Sequence, residues 1–131
     1  MKSKWITVIA LLAAPAFGHH SFAAEYDGTK PVTLKGTLTR IEWTNPHSWI
    51  YVDVTDKDGK VSSWAIEFGS PNAMLRRGLR KADFPAGTEV TVKGFLSKSG
   101  SPTVNASTVL LPDGRSLYTG SSNPNAEGAE K

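Results

Sequence analysis

The chain has 131 residues, with 15 basic and 12 acidic side chains, a formal net charge of +3 and no cysteine. That length fits one domain with one modest core, and the lack of Cys excludes disulfides, thiolate metal sites and cysteine nucleophiles. Lys2 and Lys4 fall in a leader, so 13 basic residues face 12 acidic ones beyond it, a net of +1; so small a charge gives little pull on nucleic acid or anionic membrane.

The N-terminal chemistry depends on the leader. Lys2 and Lys4 form a positive start, and Trp5 to Ala14 make an apolar stretch too short to span a bilayer. Pro15 breaks it, and Ala16-Phe17-Gly18 places small residues where signal peptidase reads. This predicts a signal peptide over residues 1–18 and a soluble periplasmic protein that begins at His19. Two other cuts are open. One after Ala16 leaves Phe17-Gly18-His19 in front, and one after Ala23 discards both early histidines. No later segment is apolar enough to anchor the chain, so no membrane span is expected, and the protein is expected to be a monomer.

A lead over 19–31 is followed by a domain over 32–118 and a tail over 119–131 rich in Ser, Asn, Pro, Glu and Gly, expected to be disordered. The first strand is predicted from Val32 to Trp43. Val32, Leu34, Gly36 and Leu38 share one face, whereas Ile41 and Trp43 have the opposite parity, which implies a bulge near Thr39-Arg40. The second strand, Trp49 to Thr55, turns Ile50, Val52 and Val54 inward and Trp49, Tyr51 and Asp53 outward. Asp56-Lys57-Asp58-Gly59 is a hairpin turn, and the third strand, Val61 to Phe68, puts Trp64, Ile66 and Phe68 on the core face. A short helix follows, with Ser70 as N-cap, Pro71 in the first position and Gly78 as the stop. Its Leu75 and Leu79 are expected to face the core. Strands Glu89 to Leu96 and Val104 to Leu111 complete the set. The order strand-strand-strand-helix-strand-strand, with a long bent first strand, predicts an all-β fold with one short helix: an OB-like five-stranded β-barrel. An open sandwich or a meander is the alternative.

The strings Gly18-His19-His20-Ser21-Phe22-Ala23-Ala24-Glu25-Tyr26-Asp27, Trp43-Thr44-Asn45-Pro46-His47, Glu67-Phe68-Gly69-Ser70-Pro71-Asn72 and Leu111-Pro112-Asp113-Gly114 together resemble a family of small exported bacterial proteins of unknown function. The resemblance spans His19 to about Tyr118. It implies export and a compact β-domain, and it carries no activity.

All three histidines lie where a metal could use them. A chain beginning at His19 offers an α-amine and an imidazole on one residue, and His47 or His20 could add a further nitrogen; nitrogen-rich, square donor sets suit copper(II). Glu25, Asp27 and Asp53 are weaker oxygen candidates. Reach opposes a joint site, because the first strand is roughly 35–40 Å long when extended and separates the lead from the turn carrying His47. The bland alternative leaves His47 bonding its own turn and the terminal histidines loose. A second hypothesis uses the outward Trp49 and Tyr51 as a platform for a glycan or a protein partner. Arg76, Arg77, Arg80 and Lys81 form a basic cluster best read as a solvated helix end, and nucleic acid is not expected. Catalysis has little support: His47 and Ser48 are adjacent on extended chain and point to opposite faces, which argues against a Ser-His-Asp arrangement with Asp53. The expectation is therefore a small periplasmic binding protein and not an enzyme, with copper or another transition metal as the leading ligand. Intact mass of the exported protein should show loss of residues 1–18; a species beginning at Ala24 or later would remove the terminal histidines and end the copper reading.

Overall fold

A computed structural model describes residues 22–120 of the protein. One helical turn, α1 (Phe22–Glu25), runs straight into a long strand, β1 (Tyr26–Glu42). Then come β2 (Trp49–Thr55), β3 (Val61–Glu67), α2 (Pro71–Arg76), a 3-10 turn at Lys81–Asp83, β4 (Glu89–Ser97), β5 (Thr103–Leu110) and β6 (Ser116–Tyr118). The strands form one sheet in the order β3-β2-β1-β4-β5-β6, mostly antiparallel, and a parallel pairing of β3 with β5 closes five of them into a ring.

β1 makes that closure possible. Its first part pairs with β4, from Tyr26 opposite Ser97 to Thr37 opposite Glu89, and its last part pairs with β2, from Thr37 opposite Asp53 to Glu42 opposite Trp49. The register shifts between Leu38 and Arg40, the expected bulge, which lets the strand turn from one partner to the other. Two glycines permit close approach of neighbouring strands. A Cβ on Gly36 would lie 2.2 Å from the Asp53 carbonyl oxygen, and one on Gly94 would lie 2.1 Å from that of Asn105. The strand begins at Tyr26, six residues before the sequence-predicted start, because Asp27-Gly28-Thr29-Lys30 carries no apolar alternation to signal it.

The interior is filled by Leu34, Leu38, Ile50, Val52, Ile66, Val90, Val92, Val104, Ala106 and Val109, as strand alternation requires. Trp64, expected in the core, is half-buried and packs at its margin, with Nε1 donating to Ser62 Oγ at 3.1 Å. α2 closes one side of the ring. Ser70 caps it, accepting from the Ala73 amide at 3.2 Å, and Pro71 opens it. The face it buries differs from expectation: Met74 is fully enclosed, whereas Leu75 is 52% exposed. The helix ends at Arg76, and Gly78 at φ +79° reverses the chain. Leu79 therefore reaches the core from that turn, and the i, i+4 relation with Leu75 no longer applies. After the 3-10 turn Phe84 packs on Phe68 with ring centroids 5.5 Å apart.

The chain does not end with β5. The turn at Pro112-Asp113-Gly114 leads into β6, which pairs back on β5. Thr119 and Gly120, placed in the tail by sequence, are buried: Gly69 N–H donates to Thr119 O at 3.0 Å and Arg77 to Gly120 O at 2.9 Å. Residues 121–131 lie outside the described residues.

In chemical denaturation, Met74→Ala should cost about 2–5 kcal/mol and Leu75→Ala less than about 0.5 kcal/mol. Gly36→Ala should cost about 3 kcal/mol or more, since backbone rather than a flexible side chain stands in the way.

Candidate functional site

Directly paired residues of neighbouring strands share a face. The pairs Glu42–Trp49, Trp49–Glu67, Glu67–Asn105 and Asn105–Phe95 therefore make one row across the outside of the ring, opposite the row that holds Ile50, Ile66 and Val104. An outside position usually leaves a glutamate in water, yet Glu67 is 3% exposed. The cover is the N-terminal segment. Phe22 stacks on Tyr26 with centroids 5.8 Å apart and meets Phe95 edge-on at 5.5 Å. The Lys98 amide donates to Glu25 O at 2.9 Å, which ties α1 to the end of β4.

Beneath this cover, each oxygen of Glu67 has a donor. The Tyr26 hydroxyl donates to Oε2, and Nδ1 of His47 lies 2.9 Å from Oε1. His47 is aimed by its neighbours. It follows the cis Asn45–Pro46 bond and precedes Ser48, whose amide donates to Gly69 O at 3.0 Å and whose carbonyl accepts from Phe68 N–H at 2.7 Å. Those bonds extend the β2–β3 ladder by a residue and hold His47 beside the end of β3. Among the described residues the His47 Nε2 makes no hydrogen bond, and the side chain is 32% exposed.

Burial pushes the Glu67 carboxyl above its ordinary value of 4.5; the Tyr26 hydrogen bond and His47 act against the shift, and Glu25 adds to it. Burial first, then the bond to Glu67, pushes the Tyr26 phenol well above its usual range, so it remains a donor.

The sequence-predicted site residues separate into two groups. His47 is central, Trp49 stands half-buried in the same row as Glu67, and Glu25 acts electrostatically on both Glu67 and Tyr26. His19 and His20 lie outside the described residues. Asp27 is occupied by Thr29 and Lys30. Asp53 pairs with Ser63, four residues along β2 from Trp49, about 13 Å away. Tyr51 is no open platform: the Arg40 guanidinium sits 3.9 Å from its ring centroid, and its hydroxyl donates to Glu42 at 3.3 Å. Arg77 of the basic cluster lies 4.5 Å from the Tyr118 ring centroid. Ser48 Oγ is buried without a hydrogen-bond partner among the described residues, so it is not engaged by His47. The curl of β1 brings Tyr26, at its start, and His47, five residues past its end, onto one carboxylate. Sequence reasoning missed Glu67 and Tyr26 as site residues. Glu67 has solvent parity between Ile66 and Phe68, and only its place in a shared string marked it.

Among the described residues no group of three or more His, Cys, Asp and Glu is arranged to hold a metal ion, and no helix is long and apolar enough to cross a membrane. The chain belongs to a family of unknown function, DUF6152, whose sequence model matches residues 8–106. Comparison with curated proteins and with solved structures finds no match.

The raised Glu67 carboxyl makes stability depend on pH. The folded chain holds this proton more tightly than the unfolded one, so the increment is complete below about 4.5 and is lost as pH rises through the raised value. In metal-free protein unfolded by urea between about pH 4 and about pH 8, the wild type should lose stability relative to Glu67→Gln as pH rises. Parallel profiles would contradict the assignment.

Proposed function

We propose that the protein is an exported, periplasmic binding domain of OB-like plan that holds a transition metal, copper first, through its processed N-terminus. The OB-like plan is supported by the five-stranded ring, the parallel β3–β5 closure, the bulged first strand and the helix between the third and fourth strands. The observation that carries the metal reading is the meeting of Tyr26 and His47 on Glu67. It supports the reading because Tyr26, in the lead, and His47 share the Glu67 carboxyl. His20 stands two residues before the buried Phe22 in sequence and His19 three. The α-amine and ring of His19 with Nε2 of His47 make the donor set, and His20 can stand in for either ring. Three nitrogen donors favour copper(II) among the divalent ions.

The burial of Phe22, 8% exposed, supports a cut upstream of it. Cleavage after Ala23 would strip away a ring that packs on both Tyr26 and Phe95. A metal-free module binding a glycan or protein partner through Trp49 and Tyr51 is less favoured, because Arg40 already covers Tyr51. The role is binding and not catalysis.

The mature protein beginning at His19 should bind one copper(II) in a tetragonal, nitrogen-rich site. Adding one residue before His19 should weaken binding strongly by removing the α-amine from the chelate, and His47→Ala should weaken it by removing the third donor. Equal affinity of all three proteins in a chelator competition would mean adventitious surface binding and would overturn the reading.

A further inference from the structure

We propose that the side of the ring formed by α2, the Lys81–Asp83 turn and the β5–β6 turn is a docking face for an anionic lipid surface. One series of contacts joins it. Leu75, exposed, precedes Arg76 and Arg77 at the end of α2, and the Arg77 guanidinium lies 4.5 Å from the Tyr118 ring centroid. Tyr118 ends β6, the strand that starts directly after Arg115. Arg115 reaches Asp83 at 3.2 Å across 32 residues of sequence, and Asp83 also accepts from the Arg80 amide at 2.8 Å. The exposed Arg80 and Lys81 are thereby brought beside Arg115.

The net charge of the chain is small, but it is unevenly spread. This face carries five cations and two carboxylates, Asp83 and Asp113, whereas the other described residues carry seven cations and eight carboxylates. Arg115 binds both of the face's carboxylates, so Arg76 and Lys81 have no ion pair among the described residues. Salt screens charges beyond about 8–10 Å, so a surface in contact with this face meets its local excess and not the net charge.

The apolar groups decide between a lipid surface and an acidic peptide. The large hydrophobics exposed among the described residues are Val61, Leu75, Leu110 and Tyr118. Tyr118 and Leu110 share one face of the β5–β6 pair, since the pairs Thr108–Tyr118 and Leu110–Ser116 lie two residues apart. Leu75 stands at the cationic end of α2, so only Val61 lies elsewhere, at the start of β3. An acidic peptide needs the cations alone. Leucine and tyrosine set among Arg and Lys fit the level of the lipid headgroups, where the long cationic side chains reach phosphate. Each cation near an anionic surface strengthens attachment about five-fold, so an excess of three gives about 100-fold preference over a neutral surface.

Vesicle flotation of metal-free protein beginning at His19 tests this. Binding to an equal mixture of phosphatidylglycerol and phosphatidylcholine should exceed binding to phosphatidylcholine alone about 100-fold at low salt, and should vanish near ~0.5 M salt. Arg76→Glu with Lys81→Glu should abolish it. Lys57→Glu with Lys60→Glu makes the same change in net charge on the exposed β2–β3 hairpin and should leave most of it. Leu75→Ser should weaken binding without loss of stability. Equal loss in the two double variants would mean a general charge effect and overturn the proposal. Unchanged binding of Leu75→Ser would overturn it too, as would a wild type that ignores the anionic vesicles. Capture on immobilised polyglutamate without vesicle binding would assign the face to an acidic peptide and equally overturn it.

Discussion

A carboxylate withdrawn from water costs several kcal/mol unless its oxygens find donors. Glu67 is withdrawn, and the donors it finds come from opposite ends of the same strand: Tyr26 opens β1, and His47 stands just beyond its close. Satisfying the charge and joining the two ends of β1 are therefore one event. If Tyr26 were held elsewhere, Glu67 would sit under an apolar cover with one oxygen unmet. If β1 did not curl, the N-terminal segment would have nothing to cover. The bulge at Leu38–Arg40 and the bare Cα of Gly36 serve this closure, and their effect is felt some distance away at the carboxylate.

The same closure explains why the end of β3 is buried on both faces. Ile66 and Phe68 belong to the interior, and Glu67 belongs to a second, smaller layer outside the ring built from Phe22, Tyr26 and Phe95. That outer layer is mostly aromatic, which gives it large contact area with few rotatable bonds. The polar groups of Tyr26 and Glu67 bond each other, and Nδ1 of His47 takes the carboxyl's other oxygen.

Much of this fold was readable from sequence, because strands with one solvated face announce themselves by alternation. β2 has the predicted bounds, β3 to β5 differ by a residue at their ends, and the parity change at Thr39-Arg40 marked a real bulge. The helix cap and stop were legible from Ser70, Pro71 and Gly78. What failed lacked a periodic signal. β6 has three residues, too few to show a period, and the first residues of β1 are polar on both faces because one edge of the segment is exposed. Leu75 was misassigned by extending helical spacing past the helix's own end. At the site, His47 was legible as a chemical type in a turn, whereas the partner that orients it was not. Glu67 obeys the solvent parity of its strand, and only a tertiary cover 41 residues away in sequence gives it a different meaning.

The aromatic clasp at Phe22 also has a meaning in terms of effective concentration. A terminus tied three residues from a fixed point cannot dilute into the surrounding solvent, and short tethers of this kind correspond to millimolar or higher local concentrations, on the order of those of linked binding modules. In the metal-binding reading, the lead then contributes its donors to His47 as an intramolecular partner, and much of the ordering has already been done by Phe22 settling between Tyr26 and Phe95. In that reading the buried ring would set how often a histidine at the terminus meets the imidazole, although it contributes no donor atom of its own.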